Sequence, residues 1–366
     1  MGASYCVSAC FPPRCEPSLT VVLGILAFFL ILATLIMVHE LGHFTCAKLM
    51  GVRVEEFGLG FPPRLKGWKR GGTVYSLNAI PIGGFVKMLG ENGDQAEPDS
   101  FGAKAPWQRF IILIAGPTMN LTLAVVIFFF AFLGGYPRGL TTVTGVAPGS
   151  PAAHAGLRTG DTIVAVGGKR VKYSDDLRTA IMGKLGKRVQ VAVRRGSRVI
   201  RFVLVPRVHP PRNQGAVGVA LYKTVTLAYS PGEALKLSLQ QVSLAVTSIP
   251  TLIQSISQHG GSGVSGPIGI AYGTTQVVKN EPQTGFGTIF EWMAILSASL
   301  GVLNLLPIPA LDGGRIAFVL LSWVRRRNLD PELEGVIHMI GMAVLLVLIL
   351  VISYQDVVRW VTGGSF

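Results

Sequence analysis

The chain has 366 residues, of which 49% are hydrophobic and only 14% charged, with a mean hydropathy of +0.50. So few charges cannot cover a soluble particle of this size, which points to a membrane protein. The net charge of +14 suggests nucleic acid at first sight. Basic and aromatic residues are not interleaved as a strand-binding groove requires, however, and nucleic acid is excluded as a partner.

Residues 1 to 18 read as a flexible tail. Cys6, Cys10 and Cys15 lie there with no histidine nearby, no second cluster, and Cys46 as the one other cysteine. That is neither a metal knuckle nor a disulfide framework. From Leu19 to Met37 the chain carries no charge and is long enough to cross hydrocarbon. No small-residue cleavage site follows, so the run reads as a retained helix and not a signal peptide.

That run leads directly into Val38-His39-Glu40-Leu41-Gly42-His43. Positions i and i+4 share a helix face, so His39 and His43 can bind one metal while Glu40 sits beside them. Two neutral imidazoles suit zinc, which takes a third protein ligand and keeps a fourth position for water. Glu40 is placed to take a proton from that water. The bland alternative, a chance HExxH match on a soluble helix, leaves three polar groups inside an apolar run for no purpose.

Between 51 and 106 three short β runs are expected, at Val52–Val54, Thr73–Leu77 and Phe85–Met88, punctuated by glycines. Next to a membrane they form either a small solvated β loop or a sheet whose edge takes up an extended peptide. A second span runs from Phe110 to Leu133, where Asn120 can hydrogen-bond across to the helix of His39 and Gly116 permits close helix approach. From Thr141 to Pro206 the pattern changes to strand, short helix, strand, helix and closing hairpin. Ala155-Gly156-Leu157 followed by Gly160-Asp161-Thr162-Ile163 resembles a PDZ domain. Such a domain binds an extended peptide or C-terminus by strand addition, with Tyr136–Leu140 expected as the carboxylate-facing loop. His154 reads as a surface residue.

Residues 232 to 258 suit an interfacial amphipathic helix, ending at Gly260-Gly261-Ser262-Gly263. A third span, Phe286 to Leu306, ends in Asn304-Leu305-Leu306-Pro307-Ile308-Pro309-Ala310-Leu311-Asp312-Gly313-Gly314. Its prolines and glycines should interrupt the helix, and irregular backbone at membrane depth is tolerated only where protein or a wet cavity surrounds it. Asp312, held on that irregular segment, is the expected third zinc ligand. Cys46 and Leu49 occupy the places where a metzincin-type continuation needs glycine and histidine, and Glu55 and Glu56 fall past the first span. Asn304 is the best candidate oxyanion donor, against a role in helix-to-helix hydrogen bonding. A fourth span runs from Val336 to Ile352, with His338 read as interfacial. Positive charges concentrate in residues 47–109 and in Arg315, Arg325, Arg326 and Arg327, which puts those connections in the cytoplasm and the PDZ-like section and both termini outside. Both halves of the metal site then lie at one depth.

The motifs together resemble the site-2 proteases, and within them the bacterial branch of regulator-of-sigma-E proteases with an inserted PDZ domain. The resemblance rests on His39–His43, Ala115-Gly116-Pro117 with Asn120, Gly266-Pro267-Ile268-Gly269, and Asn304 through Gly314. It implies zinc held by His39, His43 and Asp312, Glu40 as catalytic base, and a bacterial inner-membrane enzyme, whose PDZ domain the charge pattern puts outside the cytoplasm. The implied substrate is the transmembrane segment of a single-span protein of the anti-sigma-factor type, or signal-peptide remnants. There is room for one PDZ domain where some relatives carry two. The alternative is a catalytically silent PDZ membrane chaperone or scaffold; a metal transporter is disfavoured because no inverted repeat is visible.

The expected architecture is therefore a polytopic α-helical membrane protein of about four transmembrane helices, with a membrane-associated β segment and an inserted α+β PDZ domain. Its divisions are a tail at 1–18, a first membrane half at 19–135 and a PDZ domain at 136–207. A linker at 208–285 and a second membrane half at 286–366 complete the chain.

Overall fold

The computed structural model describes residues 19–91, 97–211, 214–221, 223–249, 265–284, 287–326 and 330–362. The cysteine-bearing tail, the far end of the expected interfacial helix and the 260–263 break lie outside them. The chain divides into two compact units, one formed by Met1–Ala131 with Pro231–Phe366 and the other by Phe132–Ser230.

In the first unit, α1 spans Leu19–Leu49, α2 Pro106–Gly134, α5 Pro231–Thr247, α6 Pro267–Thr284, α7 Gly287–Asn304, α8 Asp312–Arg325 and α9 Pro331–Val361. Among the described residues, four helices are long and apolar enough to cross a membrane: α1, α2, α7 and the Glu332–Val361 part of α9. They match the four expected spans, and the protein is a polytopic membrane protein. Helix α6 was not expected. Its Gly273, Thr274, Thr275 and Lys279 dilute the apolar pattern, yet it packs closely on α1, where a side chain on Gly24 would collide with Thr275.

The β segment differs from expectation in length. Instead of three short runs there are two long strands, β1 Val54–Arg70 and β2 Thr73–Met88. Val54–Leu59 pairs with Gly84–Met88, and Lys66–Arg70 pairs with Thr73–Leu77, while a third set of pairs sets Glu56–Leu59 beside Val74–Leu77. The extra length from Phe61 to Arg70 is exposed, so no buried alternation marked it in the sequence. The inner end is anchored by an apolar core of Ala47, Val52, Val54, Val86, Met88, Ile112 and Val319.

The second unit holds β3 Tyr136–Gly139, β4 Gly145–Val146, α3 Pro151–Ala155, β5 Thr162–Val166, β6 Lys169–Arg170 and α4 Ser174–Met182. It continues with β7 Val189–Arg195, β8 Arg198–Leu204, β9 Val219–Ala220 and β10 Thr224–Leu227. The main sheet runs β6-β5-β7-β8, while β4 pairs with β9 and β3 with β10. Alternate residues Val189, Val191 and Val193 of β7 point into a core shared with Ile163, Leu177 and Ile181.

Two expectations change here. Tyr136–Gly139 is not a loop but a strand, because Thr224–Leu227 returns to pair with it, and the Arg138 guanidinium lies 4.5 Å from the Tyr173 ring centroid. Residues 219–227, expected as linker, supply β9 and β10, strands too short and too distant from their partners to show a pattern.

Candidate metal centre

Helix α1 puts His39 and His43 one turn apart, and both side chains are buried. Their Nε2 atoms lie 3.1 Å from each other. Asp312 Oδ2 lies 2.9 Å from His39 Nε2 and 3.4 Å from His43 Nε2. A tetrahedral zinc ion with bonds of about 2.0–2.1 Å holds its ligand atoms about 3.3 Å apart, close to these separations. The three residues form the one cluster of potential metal ligands found among the described residues, with ligand atoms within 4.8 Å of one another.

The far side of each ring is also engaged. His43 Nδ1–H donates to the Ile112 carbonyl at 2.8 Å, leaving Nε2 with its lone pair. His39 Nδ1 is 3.3 Å from the Asn120 side-chain amide. With the Asn120 oxygen turned toward the ring, Nδ1–H donates and the His39 Nε2 lone pair is freed in the same way. Asn120 is itself fully buried, and its backbone carbonyl accepts from Ser297 Oγ–H at 2.8 Å. The expected bond from Asn120 to the HExxH helix is therefore present. Asp312 Oδ2 is buried with no hydrogen-bond partner among the described residues, although it lies next to two imidazole nitrogens. An acceptor left open among lone pairs is what a cation resolves, so the donor set fits zinc.

Glycines allow this approach. A side chain at Gly42 would strike the Ala115 carbonyl, and one at Gly116 would overlap His43 Nε2. Contrary to expectation, Asp312 is not on irregular backbone but in the first turn of α8. The irregular stretch is the one before it, Leu305–Leu311, and Gly313 packs against the Leu305 and Leu306 carbonyls. Within that stretch Ala310 adopts a φ of 80°, which costs a non-glycine residue of order 1–3 kcal/mol. Its N–H donates to His338 Nδ1 at 3.0 Å, so His338 braces the turn that aims Asp312. The sequence alone points only to an interfacial position for His338. Nothing in one sequence links a turn residue to a helix residue 28 positions later.

Glu40 follows His39, half-buried, and lies beside β2, where a Cβ on Gly84 would come within 3.6 Å of Glu40 Cγ. Asn304 closes α7 and is half-buried, and its side chain makes no hydrogen bond among the described residues. Two further linkages were not anticipated. Arg315, one turn beyond Asp312, is hydrogen-bonded through Nη1 to Glu91 in the turn after β2. Asp356 of α9, fully buried, accepts the N–H groups of Gly266 and Gly269 at 2.9 and 2.8 Å and so caps α6. The Gly266-Pro267-Ile268-Gly269 motif was visible, but its partner 87 to 90 residues away was not.

Fold and site together define a membrane-embedded metallohydrolase, with an HExxH helix and a distant aspartate. The chain belongs to peptidase family M50, the site-2 protease family, whose family model matches residues 27–348. It is a zinc metalloprotease. A protein of Clostridium acetobutylicum named as a zinc metalloprotease is 35% identical over 348 residues, covering 92% of this chain and 97% of that protein. The regulator of sigma-W protease RasP of Bacillus subtilis is 28% identical over 422 residues, covering 92% and 98%. The zinc metalloprotease RasP of Geobacillus kaustophilus is 27% identical over 419 residues, with the same coverage. Kinship with metalloproteases along almost the whole chain disfavours the silent-scaffold alternative.

Proposed function

We propose that the protein cleaves a peptide bond within or near the transmembrane segment of single-span membrane proteins of the anti-sigma-factor type, with His39, His43 and Asp312 as zinc ligands. The observation that carries this reading is the convergence of three donor atoms, two from a membrane-length helix and one from the far half of the chain. Zinc bound there supplies a polarised carbonyl and a water of lowered pKa. Glu40 takes the proton from the attacking water and hands it to the leaving amine. Asn304 donates to the oxygen on which charge develops.

A helical substrate must unwind before its carbonyls can react, and an extended strand is the form that β2 can hold. Gly84–Met88 pairs on one side with Val54–Leu59 and faces Glu40 near Gly84, which supports substrate entering as an added strand. The Phe132–Ser230 unit acts as a PDZ domain. Support comes from a cleft of about 460 Å³ between α4 and β9, lined by Leu177, Ile181, Val217 and Val219, with Arg178 and Arg207 at hand for a carboxylate. Charge placement favours the bacterial inner membrane with this unit on the extracytoplasmic side.

Purified enzyme in proteoliposomes, given a single-span substrate with its cut site mapped by mass spectrometry, tests the reading. Cleavage should fall inside the span, should speed up with helix-breaking residues near the cut, and should disappear with chelator and return with zinc. Cuts confined to soluble loops contradict it.

A further inference from the structure

A cavity of about 740 Å³ lies between α2, α8, α9 and the turn after β2, and Asp312 is among the residues that line it. That volume suits a small-molecule ligand. One end is charged, lined by Glu91, Arg109, Arg315 and Glu334. The other is apolar, lined by Leu113, Val319, Met339, Met342 and Leu346. Met339, Met342 and Leu346 of α9 are 66%, 46% and 54% exposed, so the apolar end is open on the surface of a membrane-length helix.

The charges there do not all satisfy one another. Arg315 is paired with Glu91, Asp312 faces the two histidines, and His338 Nδ1 is occupied by the Ala310 N–H. Arg109 and Glu334 are left over. Arg109 Nε is buried without a hydrogen-bond partner among the described residues, and its guanidinium rests 5.3 Å from the Phe101 ring centroid. Glu334 lies close enough to act on the Arg109 charge, and its carboxylate is 3.9 Å from His338 Nε2. The polar end thus offers the Arg109 guanidinium and the Glu334 carboxylate, with His338 Nε2 and Asp312 Oδ2 also lacking hydrogen-bond partners among the described residues, and hydrocarbon-lined space beyond them.

A phosphate matches the guanidinium, an ammonium matches the carboxylate, and acyl chains match the methionine-lined opening. We propose that this cavity is a binding site for a zwitterionic aminophospholipid, phosphatidylethanolamine, with its phosphate on Arg109 and its amine at Glu334. Bound lipid fills the space between α9 and the helix that carries Asp312.

The test is native mass spectrometry of the full-length, zinc-loaded protein titrated with short-chain phosphatidylethanolamine, phosphatidylglycerol and inorganic phosphate. Phosphatidylethanolamine should bind at one per chain. Arg109→Gln should weaken it at least tenfold, and Glu334→Gln should abolish the preference over phosphatidylglycerol. Met342→Trp, which fills the apolar end without touching a charge, should block binding. Zinc content and melting temperature report that each variant is folded. Unchanged lipid binding in Arg109→Gln and Met342→Trp overturns the proposal. So does displacement of lipid by inorganic phosphate, which marks a free-anion site, or by a transmembrane substrate peptide, which assigns the cavity to the substrate. Because the readout is lipid occupancy, its failure leaves the protease reading untouched.

Discussion

The metal centre and the Phe132–Ser230 unit treat buried polar groups in opposite ways. In the unit, the Asp161 side chain is 1% exposed and well supplied with donors: Arg195 Nε and Nη2 at 2.7 and 2.8 Å, and the Arg158 N–H at 2.9 Å. At the metal centre, Asp312 Oδ2 is buried without a hydrogen-bond partner among the described residues, and two imidazole nitrogens face each other. A carboxylate satisfied by its own chain holds a fold together, whereas one left open among lone pairs waits for a ligand. Chemistry is thus marked less by which residues are polar than by which demands remain unmet.

The largest effect should come from Glu40→Gln, which leaves all three donor atoms in place. Cleavage should fall by about 10²-fold to 10⁴-fold, while metal analysis still finds zinc; full activity would show that the open site works without this base. Next comes Gly116→Ala, whose new methyl overlaps His43 Nε2. It should weaken zinc at least about tenfold, the scale on which disturbed ligand orientation acts. Gly134→Ala in the same helix meets nothing within 4 Å and serves as the control. Equal zinc affinity in the two variants would refute the role of the tight α1–α2 approach.

Asn304→Ala should lower kcat by about 10²-fold to 10³-fold with KM and zinc unchanged; a loss of melting temperature with kcat preserved would return Asn304 to a packing role. The smallest effect belongs to the satisfied region. Its hydrogen bonds from Arg195 hold the Asp161 carboxyl below its usual 3.8. The stability it contributes is complete above about pH 4 and is lost as pH falls through the lowered value. Thermal melts between pH 5 and pH 2 should show a steeper acid loss for the parent chain than for Asp161→Asn. Parallel curves would mean that the pair adds nothing.

Much of the metal centre was legible in the sequence because its parts obey local rules. His39 and His43 announce themselves by helical spacing, and Pro307, Pro309, Gly313 and Gly314 announce a broken helix. Helices α1, α2, α7 and α9 follow from hydropathy alone. What escaped was long-range or exposed. The Ala310–His338 bond, the Asp356 cap on α6 and the Glu91–Arg315 pair join elements whose proximity only the fold creates. The outer half of β1 carries no burial pattern, and the Tyr136–Gly139 strand takes its identity from a partner 85 to 91 residues later, at Thr224–Leu227. Asp312 lies beside the histidines as expected, but in the first turn of α8 and not on irregular backbone, since the turn that bends it inward ends one residue earlier.

The most direct measurement is the zinc content and zinc affinity of purified Asp312→Ala beside the parent protein. The parent should hold one zinc per chain, and the variant should come out essentially metal-free and take zinc up at least tenfold more weakly, with its helical content intact. A folded Asp312→Ala protein that keeps one zinc at the parent's affinity would show that the ion is not held jointly by the two halves of the chain.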